Sequence, residues 1–488
     1  MIENDVVKGL ARTLLIVPAA TMTYAIVLHH VFVTLIQPKF SYAGYRYTEA
    51  PFEITLISWF AVTVVAWFLP RAPRRPSTVI LWVLYVVVVC PAMLMLPYLG
   101  PMGPWQAVEF GFGLGASFTL ALIVAARKKD PEPLPIRMTA NTFWIVVGGF
   151  TALTYLYVAA TTGISLSYLQ LADIYDQRAD YREAIAESTA LGYLVSNQAN
   201  VVNPLILVRL IQQRRWGFIP FVVLGQLVLY TATGFKSVLF SLVAITLMII
   251  LFKRKRPRMI TLLWGASALL LVCWFIDRQT DSVALTSLFG RRFLYTPARL
   301  SGLYFEWYSH NPLSMLANSI LAPFIDTEYE FGPARTIAIY ATGSSESSLN
   351  ANIFAAGFAE FGWVGLLGVG VLLGIYLRVL DRAAGRLPIW MVASVVVMPS
   401  VTMANTALHT AMLSHGLVAA VLLLALVPRG DRGPGGGPTK DEGPNARRRG
   451  SAQPGHFAPG GRARAGQRAG TGEVSGAATS DRSEQAPY

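Results

Sequence analysis

The sequence predicts an all-α polytopic membrane protein with about twelve transmembrane helices, and three observations predict it. Hydrophobic residues make up 54% of the 488-residue chain and charged residues 14%, with a mean hydropathy of +0.48. A soluble domain carries about a quarter charged residues, so this much apolar surface calls for a lipid solvent. Second, the apolar residues fall in runs of about 20, the length at which a helix spans a hydrocarbon core of ~30 Å. Third, basic residues concentrate in alternate loops between those runs.

The runs are 13–36, 53–69, 78–97, 105–126, 140–161, 190–211, 217–233, 237–252, 259–276, 352–376, 388–405 and 411–427. No small-residue cleavage site follows the first, which therefore reads as a retained span and not a removed signal peptide. Lys8 and Arg12, Arg71/Arg74/Arg75, Arg127/Lys128/Lys129/Arg137, Arg209/Arg214/Arg215, Lys253/Arg254/Lys255/Arg256/Arg258 and Arg378/Arg382/Arg386 place twenty basic residues on one side. The other side holds ten over longer loops. The positive-inside rule puts the N and C termini in the cytoplasm. The net charge of +13 thus reports topology and not a nucleic-acid partner: ten of the forty Lys and Arg follow Val427, and the rest are spread over loops. Cys90 and Cys273 each lie within an apolar run and read as packing residues, with no disulfide or zinc site implied.

The outer side is expected to hold the long connections 37–52, 162–189 and 277–351, all rich in aromatic and aliphatic residues and so ordered. They belong to a membrane domain, 1–427. The tail 428–488 is rich in Gly, Pro and Arg without periodicity and is expected to be a disordered cytoplasmic extension. It is either plainly solvated or in contact with anionic lipid through Arg447, Arg448 and Arg449.

Within 162–189, Asp173, Asp176, Asp180, Glu183 and Glu187 recur at helical spacing and make one acidic face, with Leu171, Ile174, Tyr175, Tyr181 and Ile185 opposite. Arg178 and Arg182 fall in the apolar stripe, where a guanidinium is costly unless an anion meets it. Snorkelling or a salt bridge would serve, as would a phosphate, whose oxygens match the guanidinium fork. Lys236, in the tight turn Thr233-Gly234-Phe235-Lys236-Ser237, stands on the side poor in cations. It reads either as an interface anchor or as a cation held where a lipid-borne phosphate arrives.

In the largest loop, Thr296 and Pro297 predict a helix start, with Thr296 as N-cap and Arg291 and Arg292 just before it, where free backbone N–H groups favour anions. Asn311-Pro312 predicts its end. Arg299 and Glu306, seven residues apart, share a face, with His310 one turn further, amid Tyr304, Phe305, Trp307 and Tyr308. Arginine, carboxylate and aromatic rings together describe a sugar-binding surface; the alternative is a solvated charged helix. Asn350 and Asn352 precede a Gly-rich span, two turns into which Glu360 is either a functional group or the partner of a neighbouring helix. Ser196, Asn200 and Asn203 share one face and are expected to point into the bundle. His29, His30, His409 and His415, near the outer ends of spans, read as structural.

Four of these features resemble the Wzy-type O-antigen and oligosaccharide repeat-unit polymerases. They are Leu171-Ala172-Asp173-Ile174-Tyr175-Asp176-Gln177-Arg178, the Thr233–Ser237 turn, the loop with Arg291, Arg292, Phe293 and Pro297, and Asn350-Ala351-Asn352 followed by Phe361-Gly362-x-x-Gly365. They cover roughly 160–385. Lys236 departs from the pattern, where the family has arginine. The resemblance implies a metal-independent glycosyltransferase of the cytoplasmic (inner) membrane that needs no cofactor. It implies transfer of a growing glycan from one polyprenyl diphosphate to a new lipid-linked repeat unit on the outer face, with a flippase and a chain-length regulator as further partners. Arg178, Arg182, Lys236, Arg291, Arg292 and Arg299 would then bind the diphosphate; Glu306, His310 and Glu360 are candidate bases; Tyr304, Trp307, Asn350 and Asn352 would meet the glycan. A ligase of the O-antigen type and a lipid-linked-sugar flippase are the competing readings. A flippase would place charges at mid-membrane in broken helices, whereas apart from Glu109 and Glu360 the ionisable residues here lie in outer loops and interfaces.

Overall fold

The computed structural model describes residues 2–126, 132–136, 138–161, 188–254, 257–317, 319 and 324–428, with the backbone alone for 2–14 and 189. The described residues are helical, without a strand. In chain order the helices are α1 (Leu15–Ala43), α2 (Phe52–Phe68), α3 (Pro76–Leu99), α4 (Pro104–Ala125), α5 (Ala140–Thr161), α6 (Ala190–Gln212), α7 (Trp216–Thr233), α8 (Lys236–Phe252), α9 (Thr261–Gln279), α10 (Thr296–His310), α11 (Pro333–Thr342), α12 (Ile353–Ala384), α13 (Ile389–Thr402), α14 (Leu408–Ser414) and α15 (Leu417–Leu426). Eight of these, α1, α3 to α7, α9 and α12, are long and apolar enough to cross a membrane. The chain is a polytopic helical membrane protein. The other four predicted runs coincide with the shorter apolar helices α2, α8 and α13 and with the pair α14/α15, bent by 49°. The predicted amphipathic segment 162–189, with Arg178 and Arg182, lies almost wholly outside the described residues, as does the tail.

Helix α3 is the centre of the bundle: 94% of its apolar window is buried, against 22% for α5 and 28% for α9. Its neighbours hold it through hydroxyl groups that find backbone carbonyls, as polar side chains must in lipid. Tyr24 of α1 donates to the Val86 carbonyl at 3.0 Å, and Tyr85 of α3 donates to Val62 of α2 at 2.9 Å. At the end of α3 predicted to be cytoplasmic, the buried Asp381 carboxylate accepts from the Ser77 N–H at 2.9 Å and its hydroxyl at 2.7 Å, placing negative charge on the helix N-terminus.

The predicted run 352–376 is not one straight helix. At Phe361 (φ −141°, ψ 26°) and Gly362 (φ 58°, ψ −141°) the backbone leaves the helix, the second in a conformation open to glycine alone. A Cβ on Gly357 would stand 2.9 Å from the Gly365 carbonyl oxygen. Eight residues of straight helix would separate the two by about 12 Å, so 353–360 is folded sharply against 363–384. The longer arm packs on α4 through small residues: Ser117 donates to the Leu366 carbonyl, Gly370 lies against Ser117, and a Cβ on Gly374 would come 2.5 Å from that of Val124.

Gly374→Leu is therefore expected to destabilise the protein by about 1–3 kcal/mol through overpacking. The check is the thermal midpoint of the detergent-purified protein, with Gly368→Leu, a position where a Cβ meets nothing within 4 Å, leaving it unchanged.

Candidate functional site

Helix α1 ends in a short turn that closes at Gly44, whose φ of +83° favours glycine. Beyond it the buried Tyr45 points back into the protein and its hydroxyl hydrogen-bonds the Thr296 hydroxyl at 2.7 Å. Two guanidinium groups lie against this segment. Arg291 is 4.3 Å from the ring centre of Phe40 and 6.0 Å from that of Tyr45. Arg299 is 5.3 Å from the Tyr45 ring and donates through Nε to the Gly44 carbonyl at 2.9 Å. A side chain on Gly44 would strike Arg299, its Cβ lying 2.8 Å from Cζ. Burial pushes the Arg299 pKa down and Tyr45 partly offsets this, but an arginine keeps its charge at any physiological pH.

The helix that presents these arginines does not begin at Thr296. Helical structure runs from Ala284 through a π-helical stretch, Thr286–Tyr295, straight into α10. Its N-terminus is capped by Ser282, whose hydroxyl accepts from Ala284 N–H, and by the buried Asp277 at the end of α9, which accepts from Leu285 and Thr286 N–H at 3.2 and 2.6 Å. Thr296 instead donates its hydroxyl to the Arg291 carbonyl at 2.7 Å, closing a wide turn just before Pro297, which has no N–H. Arg291 and Arg292 therefore lie inside a helix with its amides paired, and not at the free N–H groups expected. The predicted end is as expected: α10 stops at His310, and Asn311 donates to the Trp307 carbonyl.

A cavity of about 1170 Å³ opens between this helix, the first outer connection, the α7–α8 turn, α6 and the α14–α15 break. Arg46, Lys236, Arg291, Arg292 and Arg299 line it, and among the described residues no carboxylate does. Ser196 and Asn200 of α6 add neutral hydrogen-bonding groups. Asn203 does not join them. A π-helical stretch, Gln198–Val202, inserts between and turns it into a buried network, with Gln198 donating to it and Asn203 donating to Gln226, each at 2.7 Å. His415 is the histidine that lines the cavity, its Nδ1 2.7 Å from the Ser414 hydroxyl.

The remaining expected site residues are elsewhere. Glu306, two turns beyond Arg299, does not line this cavity. His310 is exposed, its Nδ1 2.9 Å from the Glu306 carbonyl oxygen. Trp307 packs on Tyr340 and donates to Tyr329. Asn352 is fully buried as the N-cap of α12: it accepts from Phe354 and Ala355 N–H and donates to Ser301 at 2.6 Å, so a ligand does not reach it. Tyr304, Asn350 and Glu360 line a second cavity of about 480 Å³. Its wall towards the first is the segment around Leu349, which lines the larger cavity and whose carbonyl accepts from the Tyr304 hydroxyl.

Three members of the first cavity were not among the residues expected from sequence: Arg46, Tyr45 and His415. Arg46 is one of the ten outer cations, and His415-Gly416 interrupts an apolar run; both signals were present but shared with unrelated positions. Comparison with family models, curated proteins and solved structures found no match.

Gly44→Ala is expected to displace Arg299 and weaken binding of inorganic pyrophosphate to the purified protein by about tenfold, the worth of one charge-assisted hydrogen bond. Calorimetric titration checks this; an unchanged affinity would detach Arg299 from the anion site.

Proposed function

We propose that this protein polymerises polyprenyl-diphosphate-linked oligosaccharide repeat units into a cell-surface polysaccharide on the outer face of the cytoplasmic membrane. The observation that carries the reading is the gathering of Lys236, Arg291, Arg292, Arg299 and Arg46 on one cavity without a described carboxylate. Such a site suits a ligand with two or more negative charges, and guanidinium pairs match phosphate oxygens. With twelve crossings and both termini cytoplasmic, the cavity faces outward.

In this reaction an acceptor sugar hydroxyl attacks the anomeric carbon of the donor glycan. The bond from that carbon to the diphosphate breaks, and polyprenyl diphosphate leaves with the electron pair. The five cations stabilise the charge that develops on the leaving oxygen. The hydroxyl proton needs a base, and His415 is the neutral acceptor within the cavity. Glu360, in the neighbouring cavity, and the more remote Glu306 and His310 recede as candidates. An apolar crevice of about 560 Å³ between α1, α2 and α3 also fits the reading. Met22, Ile26, Phe52 and Leu56 line it and are exposed where lipid would be. Tyr98 in its wall adjoins Leu99 and Gly100 of the cationic cavity, so a prenyl chain has a place beside its diphosphate. Transfer to another acceptor, as in an O-antigen ligase, would use the same donor site.

The broken helices favour one rival. The breaks at Gly362 and His415-Gly416 adjoin the two cavities, and flippases and transporters bind substrate at interrupted helices. Deleting the gene and running the envelope polysaccharide on a gel separates the two. Loss of the long-chain ladder with one repeat unit retained is the expected result; loss of all surface glycan with cytoplasmic build-up of lipid-linked units would establish the flippase instead. Arg291→Ala, Arg299→Ala and His415→Ala are each expected to cut polymer formation by about a hundredfold at normal protein level. A full ladder in all three would remove the cavity from the chemistry.

A further inference from the structure

The second cavity has the opposite electrostatic character to the first. Among the described residues, Glu330 and Glu360 face it with one cation, Arg335. Glu360 is fixed in place: its carboxylate accepts from the Ser314 hydroxyl and the Leu316 N–H, and the Ala359 and Glu360 carbonyls accept from Ser314 and Met315 N–H. Arg335 lies 4.8 Å from the ring centre of Phe331, which also lines the cavity. Asn350 and Ser348 add groups that both donate and accept. The wall between the cavities is tied on both sides, since Leu349 N–H donates to Ala334 at 2.9 Å while its carbonyl accepts from Tyr304 at 3.0 Å.

We infer that this second cavity is a saccharide site that accepts neutral and amine-bearing sugars and excludes acidic ones. Mixed acceptors and donors around a concave surface of about 480 Å³ fit a polyhydroxylated ligand. A phosphate or uronate would meet two carboxylates with one guanidinium to offset them, whereas an ammonium or hydroxyl meets acceptors. The choice of a saccharide rests on the polymerase reading; the charge selection rests on the lining itself. On that reading the diphosphate and the reacting sugars occupy the first cavity, and sugars further from the reacting bond occupy the second, past the Leu349 wall.

The test uses the full-length protein in detergent with three tetrasaccharides: a chitosan tetramer bearing amines, cellotetraose, and tetragalacturonate. Calorimetry is expected to find saturable binding of the first two, tightest for chitosan, and none of the third. Glu330→Gln should weaken the chitosan tetramer by about tenfold and leave cellotetraose within about twofold, as the loss of one charge-assisted contact requires. Ser348→Trp, at an exposed loop position, should abolish both by filling the space. Equal binding of tetragalacturonate, no binding of any probe, or affinities unmoved by both substitutions would overturn the proposal. Gene deletion and Arg291→Ala separate it from the polymerase reading. If sugar binding tracks Glu330 while the ladder survives deletion of the gene, the polymerase reading falls and the saccharide site stands. If the ladder depends on Arg291 but no probe binds, the saccharide site alone falls.

Discussion

Stacking of Arg291 and Arg299 against Phe40 and Tyr45 is the interaction on which the cationic cavity depends. Guanidinium groups gathered this closely repel one another and lose hydration as they are covered. The aromatic faces and the Gly44 carbonyl return part of that loss. They do so without neutralising the charge, as a carboxylate would, and so keep it available to a ligand. The same contacts fasten the first outer connection to α10, so the shape of the cavity and its charge are set by one set of atoms.

Irregular helices supply the rest of the geometry. In a bilayer every backbone polar group needs an internal partner, so departures from α-helix are confined to places that protein or a cavity can satisfy. Most departures here border the cavities: π-helical turns at Phe32–Ile36, Gln198–Val202 and Thr286–Tyr295, the break at Phe361-Gly362 and the one at His415-Gly416, whereas the π turn at Tyr85–Val89 is buried in α3. A π turn adds a residue and rotates everything beyond it. That rotation sends Asn200 to the cavity and Asn203 into the Gln198–Gln226 network. Asp277 anchors the start of the longest π stretch from α9, so the arginines are aimed by a helix fixed at both ends.

The two cavities then form a polarised pair, among the described residues one lined by cations and the other with an excess of carboxylate, divided by the hydrogen-bonded segment around Leu349. Neighbouring sites of opposite preference let one protein hold an anionic group and an uncharged or cationic one side by side without either entering the wrong place. This is specificity by repulsion as much as by attraction.

The membrane class and the location of the apolar helical runs were legible in the sequence, because run length and composition are local properties and the bilayer fixes the length needed; the helix over 284–295, the short α11 and the break at Phe361-Gly362 were not. Lys236, Arg291, Arg292 and Arg299 were legible as well, since cations outside the positive-rich loops are conspicuous one at a time. Their convergence, and the part played by Arg46, Tyr45 and His415, was not, because it joins segments hundreds of residues apart. Asn352 illustrates the limit: its place before a helix was visible in the chain, but only the packing of Ser301 beneath it made it a buried cap and not a ligand. Thr296 illustrates another, for Thr-Pro is a sound local start signal that Asp277, nineteen residues earlier, overrides by capping the helix sooner. By itself the sequence determined which segments are apolar helices and which cations lie outside them; tertiary structure decided which of those cations meet, because distance in space is set by packing, bends and π turns that no local pattern encodes.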